Sequence, residues 1–240
     1  MTMFDHETVR CYVCRKTNYL TFIGSTNLSG PPDLDTRPPE MMRSTMWDWV
    51  QRCIKCGYCA DQITKPCPAA RTVIKSQEYL DQLHDPIYPK QANSFLCAAI
   101  INREAKNYSA ATWALIHAAW TCDDIKRHKA QAITCRLRAA EMLLLTEQAG
   151  QQIVDEHALI EGHLSPKEIG AAILVDLLRR AGHMEKARSI LVERRDAVSD
   201  CVIKTIFDYQ GTLIDKNDRN CHTIDEATRT QRLSPESLEG

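Results

Sequence analysis

The chain has 240 residues, with 30 Lys and Arg set against 31 Asp and Glu. A chain of this length can bury a core without relying on crosslinks, and its balanced charge provides no global field to draw it to nucleic acid or to an anionic membrane. No run approaches the about eighteen apolar residues of a membrane span, and the start MTMFDHETVR has acidic residues and no apolar leader stretch, so a soluble, cytoplasmic protein is expected.

The first feature along the chain is a pair of CxxC turns, Cys11-Tyr-Val-Cys14 and Cys53-Ile-Lys-Cys56, the second followed by Gly57. Two such turns in a reducing compartment predict a four-thiolate metal site, and tetrahedral Zn2+, with ligands about 2.3 Å away, is the ion that suits it. Gly57 reaches the positive φ that a tight turn requires. Four sulfurs leave no open position for water, which predicts one structural zinc per chain held by Cys11, Cys14, Cys53 and Cys56. Cys59 and Cys67 lie close enough in sequence to compete as ligands. The 11 cysteines are otherwise expected to be buried thiols and not disulfides.

Between the turns, Tyr19–Ile23 and Thr45–Val50 alternate as strands do, which would put Trp47 and Trp49 on one face, over the metal. The intervening GPPDLDTRPPEMMRST contains Pro31, Pro32, Pro38 and Pro39 and is expected to be an irregular insertion. Asp33, Asp35 and Arg37 within it read most simply as anchors of a long loop, with a divalent-metal or anion site as the functional alternative.

From Pro68 the period becomes helical, predicting helices over 68–84, 92–106, 109–122, 124–147 and 149–163. Ser109 is the expected cap of the third, and Ile133, Leu137, Ala140 and Leu144 form the expected inward stripe of the fourth. Ser165-Pro166-Lys167-Glu168 is a capping box opening a helix that ends before Gly182, followed by another over 183–207. Leu174, Leu178, Gly182, Ala187 and Leu191 are spaced as in a tetratricopeptide unit. After Tyr209 the polar sequence is expected to be a loose tail. The domain reading is therefore a zinc ribbon over 1–66, a tetratricopeptide-like helical domain over 67–209 and a tail over 210–240; the fold class is mainly α with a small N-terminal β ribbon.

CYVC, GSTNLSGPPDLDTRPP, WVQRCIKCGYCA and ATWALIHAAWTCDD together resemble a bacterial family of unknown function that joins an N-terminal zinc ribbon to tetratricopeptide-like helices. The resemblance covers roughly residues 11–200, and it implies fold and metal but no activity. Tyr12 and Ile54 stand where such ribbons usually have proline.

No catalytic constellation stands out. His157 and Glu161 share a helical face but form no HExxH motif. His117 lies in the apolar Trp113–Trp120 run and reads as a packed core residue. Cys97, Cys122, Cys135 and Cys201 have no base matched to them. Basic residues at Lys126, Arg127 and Lys129, and the mixed charges from Arg179 to Asp196, read as solvated surface. The expected function is a non-enzymatic zinc-binding adaptor that holds a protein partner in a helical groove, with Trp113 and Trp120 as contact candidates. The alternatives are a nucleic-acid-associated ribbon factor and an enzyme with a site near Asp33, Asp35 and Arg37.

Overall fold

The computed structural model describes residues 3–153 and 165–232. It is mainly helical, with two small sheets near the N-terminus. Among the described residues no helix is long and apolar enough to cross a membrane. The chain divides into two compact units whose boundaries differ from those expected: residues 1–28 with 40–151, and 29–39 with 152–240.

In the first unit, β1 (Met3–Arg10) pairs antiparallel with β2 (Thr17–Ser25), and β3 (Gln51–Arg52) with β4 (Cys59–Ala60). Each CxxC turn closes one of these hairpins. Residues 45–50 do not form the expected strand; Arg43–Asp48 is a 3-10 helix. Thr45 donates its hydroxyl to the Met42 carbonyl and accepts from the Trp49 indole N–H, so local side-chain bonds outweigh its β propensity. Trp47 is consequently exposed, and Trp49 turns to the helices instead of covering the sulfurs.

The expected helix over 68–84 is two, α1 (Ala70–Val73) and α2 (Gln77–His84), because Ser76 is extended and its hydroxyl caps α2 through the Tyr79 N–H. α3 (Lys90–Glu104), α4 (Tyr108–Asp123) and α5 (Lys129–Gln148) follow, with α4 packed against both of the others. Every α4 residue from Ala111 to Cys122 is buried, as suits a helix that is apolar all round. The α4 cap is Asn107, which accepts from Ala110 N–H, and not Ser109; the Gln151 amide oxygen takes up the Tyr108 and Ser109 N–H groups. The inward face of α5 also departs in part from the expected stripe. It runs through Ala132, Cys135, Arg136, Ala139, Ala140, Leu143 and Thr146, so Ala140 is inward as expected while Ile133, Leu137 and Leu144 are only half-buried, and Arg136 is held by Asp123.

The second unit contains α6 (Pro166–Arg180), α7 (Met184–Arg195), α8 (Cys201–Asp215) and α9 (Ile224–Arg232). α6 begins at Ser165 with Pro166 in its first turn and ends at Gly182, φ +85°, both as expected. Ser165 makes no side-chain cap bond, and Glu168 accepts instead from the Ser199 and Asp200 N–H groups just before α8. The helix expected over 183–207 is broken before Asp200, whose carboxylate caps α8. The loose tail is also corrected: α8 continues to Asp215, α9 follows, and Leu213, Ile214 and Ala227 are buried. Most of the expected helix over 149–163, with His157 and Glu161, lies outside the described residues.

Candidate metal centre

The two CxxC turns have the same backbone construction. Cys11 N–H donates to the Lys16 carbonyl at 3.0 Å and Arg15 N–H to the Cys11 carbonyl at 2.9 Å; Cys53 with Tyr58, and Gly57 with Cys53, repeat the pattern at 2.8 and 2.9 Å. The fifth position is left-handed in both, Arg15 at φ +60° and Gly57 at φ +75°. Glycine is needed at the second for space as well, since a Cβ there would lie 2.5 Å from a Leu83 methyl on α2.

The two turns face each other through sulfur. Cys11 Sγ lies 3.7 Å from Cys56 Sγ, Cys14 Sγ lies 3.6 Å from Cys53 Sγ, and all four atoms are within 4.8 Å of one another. A tetrahedron of sulfurs about 2.3 Å from a central ion has edges of about 3.8 Å, whereas a disulfide needs about 2.05 Å. The spacing fits four ligands around a cation. Among the described residues, these four cysteines are the group able to hold a metal ion; Cys59 and Cys67 are not part of it.

Asn18 is the residue that inspection of the sequence overlooked. Buried on β2, it donates its amide to Cys53 Sγ at 3.5 Å and accepts the Ile54 N–H at 3.0 Å, so one side chain orients a ligand and ties the second turn to the first hairpin. Burial pushes the Cys53 thiol up. The Cys56 and Lys55 N–H groups, the Asn18 amide and Cys14 outweigh it, bringing Cys53 down to about 7. Burial drives Cys56 and Cys11 the other way, and for Cys56 the neighbouring sulfurs add to the effect. Four packed sulfurs cannot all ionise without a cation among them.

The remaining cysteines do other work. Cys59 is fully buried and donates to the Gly57 carbonyl, beside a Tyr79 hydroxyl that accepts from Cys59 N–H and donates to the same carbonyl. Cys97 is driven up by its hydrogen bond with Cys59 and by burial, and Cys122 by its bond with Cys135 and by burial, which keeps both protonated at neutral pH. Cys201 is exposed. His117 is ringed by Trp49, Phe95, Trp113 and Trp120 at centroid distances of 5.0–5.9 Å. Trp113 and Trp120 are core residues, which removes them as contact candidates.

Asp33, Asp35 and Arg37 are buried anchors of the second unit. Asp35 is fully buried and its carboxylate meets Arg180 at 2.8 Å; Asp33 N–H donates to the Arg37 carbonyl, and Leu34 N–H to the His222 carbonyl. The segment thus presents no solvent-facing chelate or anion clamp. Asp35→Ala is expected to cost about 3–5 kcal/mol in urea unfolding, because Arg180 would keep a buried charge; a cost below about 1 kcal/mol would mean that the pair is not an anchor.

No protein-family model, curated protein or solved structure matches this chain.

Proposed function

We propose that Cys11, Cys14, Cys53 and Cys56 hold one structural Zn2+ and that the protein is a non-enzymatic adaptor. The observation that carries the metal assignment is the tetrahedral sulfur spacing. Four soft thiolates suit zinc and leave it no vacant position for a substrate or a reactive water. Bound zinc would fix the two hairpins to each other, while Asn18 and the turn N–H groups hold the sulfurs in place.

Support for the adaptor role comes from the tetratricopeptide-like alternation of small and large residues and from a cavity of about 270 Å³ in the first unit. Ala99, Ile100, Leu115, Met142 and Leu145 give it an apolar lining, and Arg103, Arg138 and Glu141 add charge of both signs. Such a groove suits an apolar anchor of a partner segment. Elemental analysis of protein purified without added metal is expected to give one zinc per chain. Met142→Glu should leave that content unchanged and abolish retention of proteins captured by the wild type. Absence of zinc would overturn the metal assignment, and unchanged capture would overturn the groove.

A further inference from the structure

We propose that the face formed by the two cysteine turns binds the phosphate backbone of a single-stranded nucleic acid. Positive charge without a carboxylate partner gathers at these turns. Seven arginines elsewhere are matched with carboxylates, namely Arg103 with Glu78, Arg136 with Asp123, Arg179 with Asp176, Arg180 with Asp35, Arg188 with Asp215, Arg195 with Asp208 and Arg229 with Asp225, whereas Arg127 bonds to His128 and Arg138 to Gln82. What sets the turns apart is that such cations are clustered there. Arg10 and Arg52 immediately precede the first cysteine of each, Arg15 and Lys16 follow Cys14, and Lys55 lies inside the second turn. Arg71 joins them by reaching the Tyr12 ring. Among the described residues none of these six meets a carboxylate; five are exposed, while the half-buried Arg52 lies near enough to the buried Cys59 and Cys97 to act on them and is not counted in the face. Nearby Asp61 is neutralised by Lys65 at 2.9 Å, and the β1 acids Asp5 and Glu7 stand three or more residues from Arg10. Even against the double negative charge of a zinc tetrathiolate, the face stays positive. A whole-chain charge near zero therefore conceals a local excess.

Two of these cations are already positioned. The Arg15 and Arg71 guanidinium carbons lie 5.2 and 4.9 Å from the Tyr12 centroid. A guanidinium held by an aromatic face keeps its N–H donors available for the paired oxygens of a phosphodiester. Ile54, 74% exposed at the tip of the second turn, offers an apolar contact beside the cations. Unpaired bases have accessible faces for that contact and a duplex hides them, which favours a single strand. One exposed isoleucine is too little to anchor a bilayer. The proposal depends on the zinc reading only for the shape of the turns, so zinc content is measured on every sample.

The test uses zinc-loaded full-length protein and fluorescein-labelled oligo-dT and oligo-U of about 20 nucleotides, longer than a single-module site. Fluorescence anisotropy is expected to show binding that weakens on the order of a hundredfold between about 50 and 200 mM salt, as neutralising about four or five phosphates implies. The combined Lys16→Glu, Lys55→Glu and Arg71→Glu variant should retain zinc, bind at least about tenfold more weakly and show a salt slope shallower by about 2. Reversing Lys126, Arg127 and Lys129 together should change neither quantity. No binding by zinc-loaded wild type at about 50 mM salt would overturn the proposal. So would a loss confined to the Lys126 variant, or preferential binding to phosphatidylserine vesicles or polyglutamate. A protein without zinc would instead defeat the metal reading, and oligonucleotide binding that persists in it but is lost in the triple variant would still support this face.

Discussion

Replacing Cys56 with serine is expected to release the proposed zinc and to disorder residues from about 10 to 60, while most of the helical circular dichroism persists. The size of the effect follows from the metal's role. Structural zinc contributes roughly 10–16 kcal/mol of apparent binding free energy at neutral pH, far more than the two-residue β3–β4 ladder and the largely exposed β1–β2 hairpin can supply. The helices have a separate source of stability in the fully buried α4 and its partners α3 and α5. Metal analysis together with amide exchange would check both halves of the expectation. Zinc retained at one per chain in the variant would mean that another residue completes the site. Global loss of helix would mean that the ribbon is part of the helical core.

Ending the chain after Tyr209 is expected to unfold the second unit. The deletion removes Leu213 and Ile214 from α8 and Ala227 with all of α9. Fully burying each large aliphatic side chain contributes about 1.5–3 kcal/mol, so these losses rival the 5–15 kcal/mol that typically holds a domain together. The deletion also takes away the backbone partners of the 29–39 segment: Thr223, which bridges Asp33; the His222 carbonyl, which accepts from Leu34; and Ile224 N–H, which donates to Pro32. A melting temperature within about 2 °C of wild type would show that these contacts carry little weight.

The features legible in the sequence were those made by near neighbours. The CxxC turns, the positive φ at Gly57, the β2 strand and the Gly182 helix stop each depend on a few consecutive residues. What depended on distant partners was not visible. Asn18 meets Ile54 across 36 positions, and nothing around either residue announces the other. Thr45 to Val50 looked like a strand because Thr, Trp and Val favour one, yet Thr45 and Trp49 bond within a single tight turn. The end of α8 was missed because Gln210 and Gly211 interrupt its apolar pattern. Gln210 has a reason in the fold, since it is buried and donates to the Ala172 carbonyl, whereas a Cβ at Gly211 would make only an ordinary contact with Leu191. In α5, Ala140 is inward as its spacing implies, but a buried Arg136, matched by Asp123, marks the inner face where the sequence offers Ile133 and Leu137 as aliphatic candidates.

The excursion of residues 29–39 into the second unit also has a consequence for the order in which the protein can be made. Asp35 and Arg180 are 145 positions apart. At translation rates of about 5–20 residues per second, roughly 7–30 s separate the synthesis of the one from that of the other. For most of that interval Cys11, Cys14, Cys53 and Cys56 are already on the nascent chain, while Asp35 between the hairpins does not yet have Arg180 to meet. Early metal capture would then fix the two ends of an open loop, shrinking the space that the segment must search once α6 emerges. A metal supplied during synthesis would thereby bear on how soon the segment finds α6, although the four cysteines belong to the other unit.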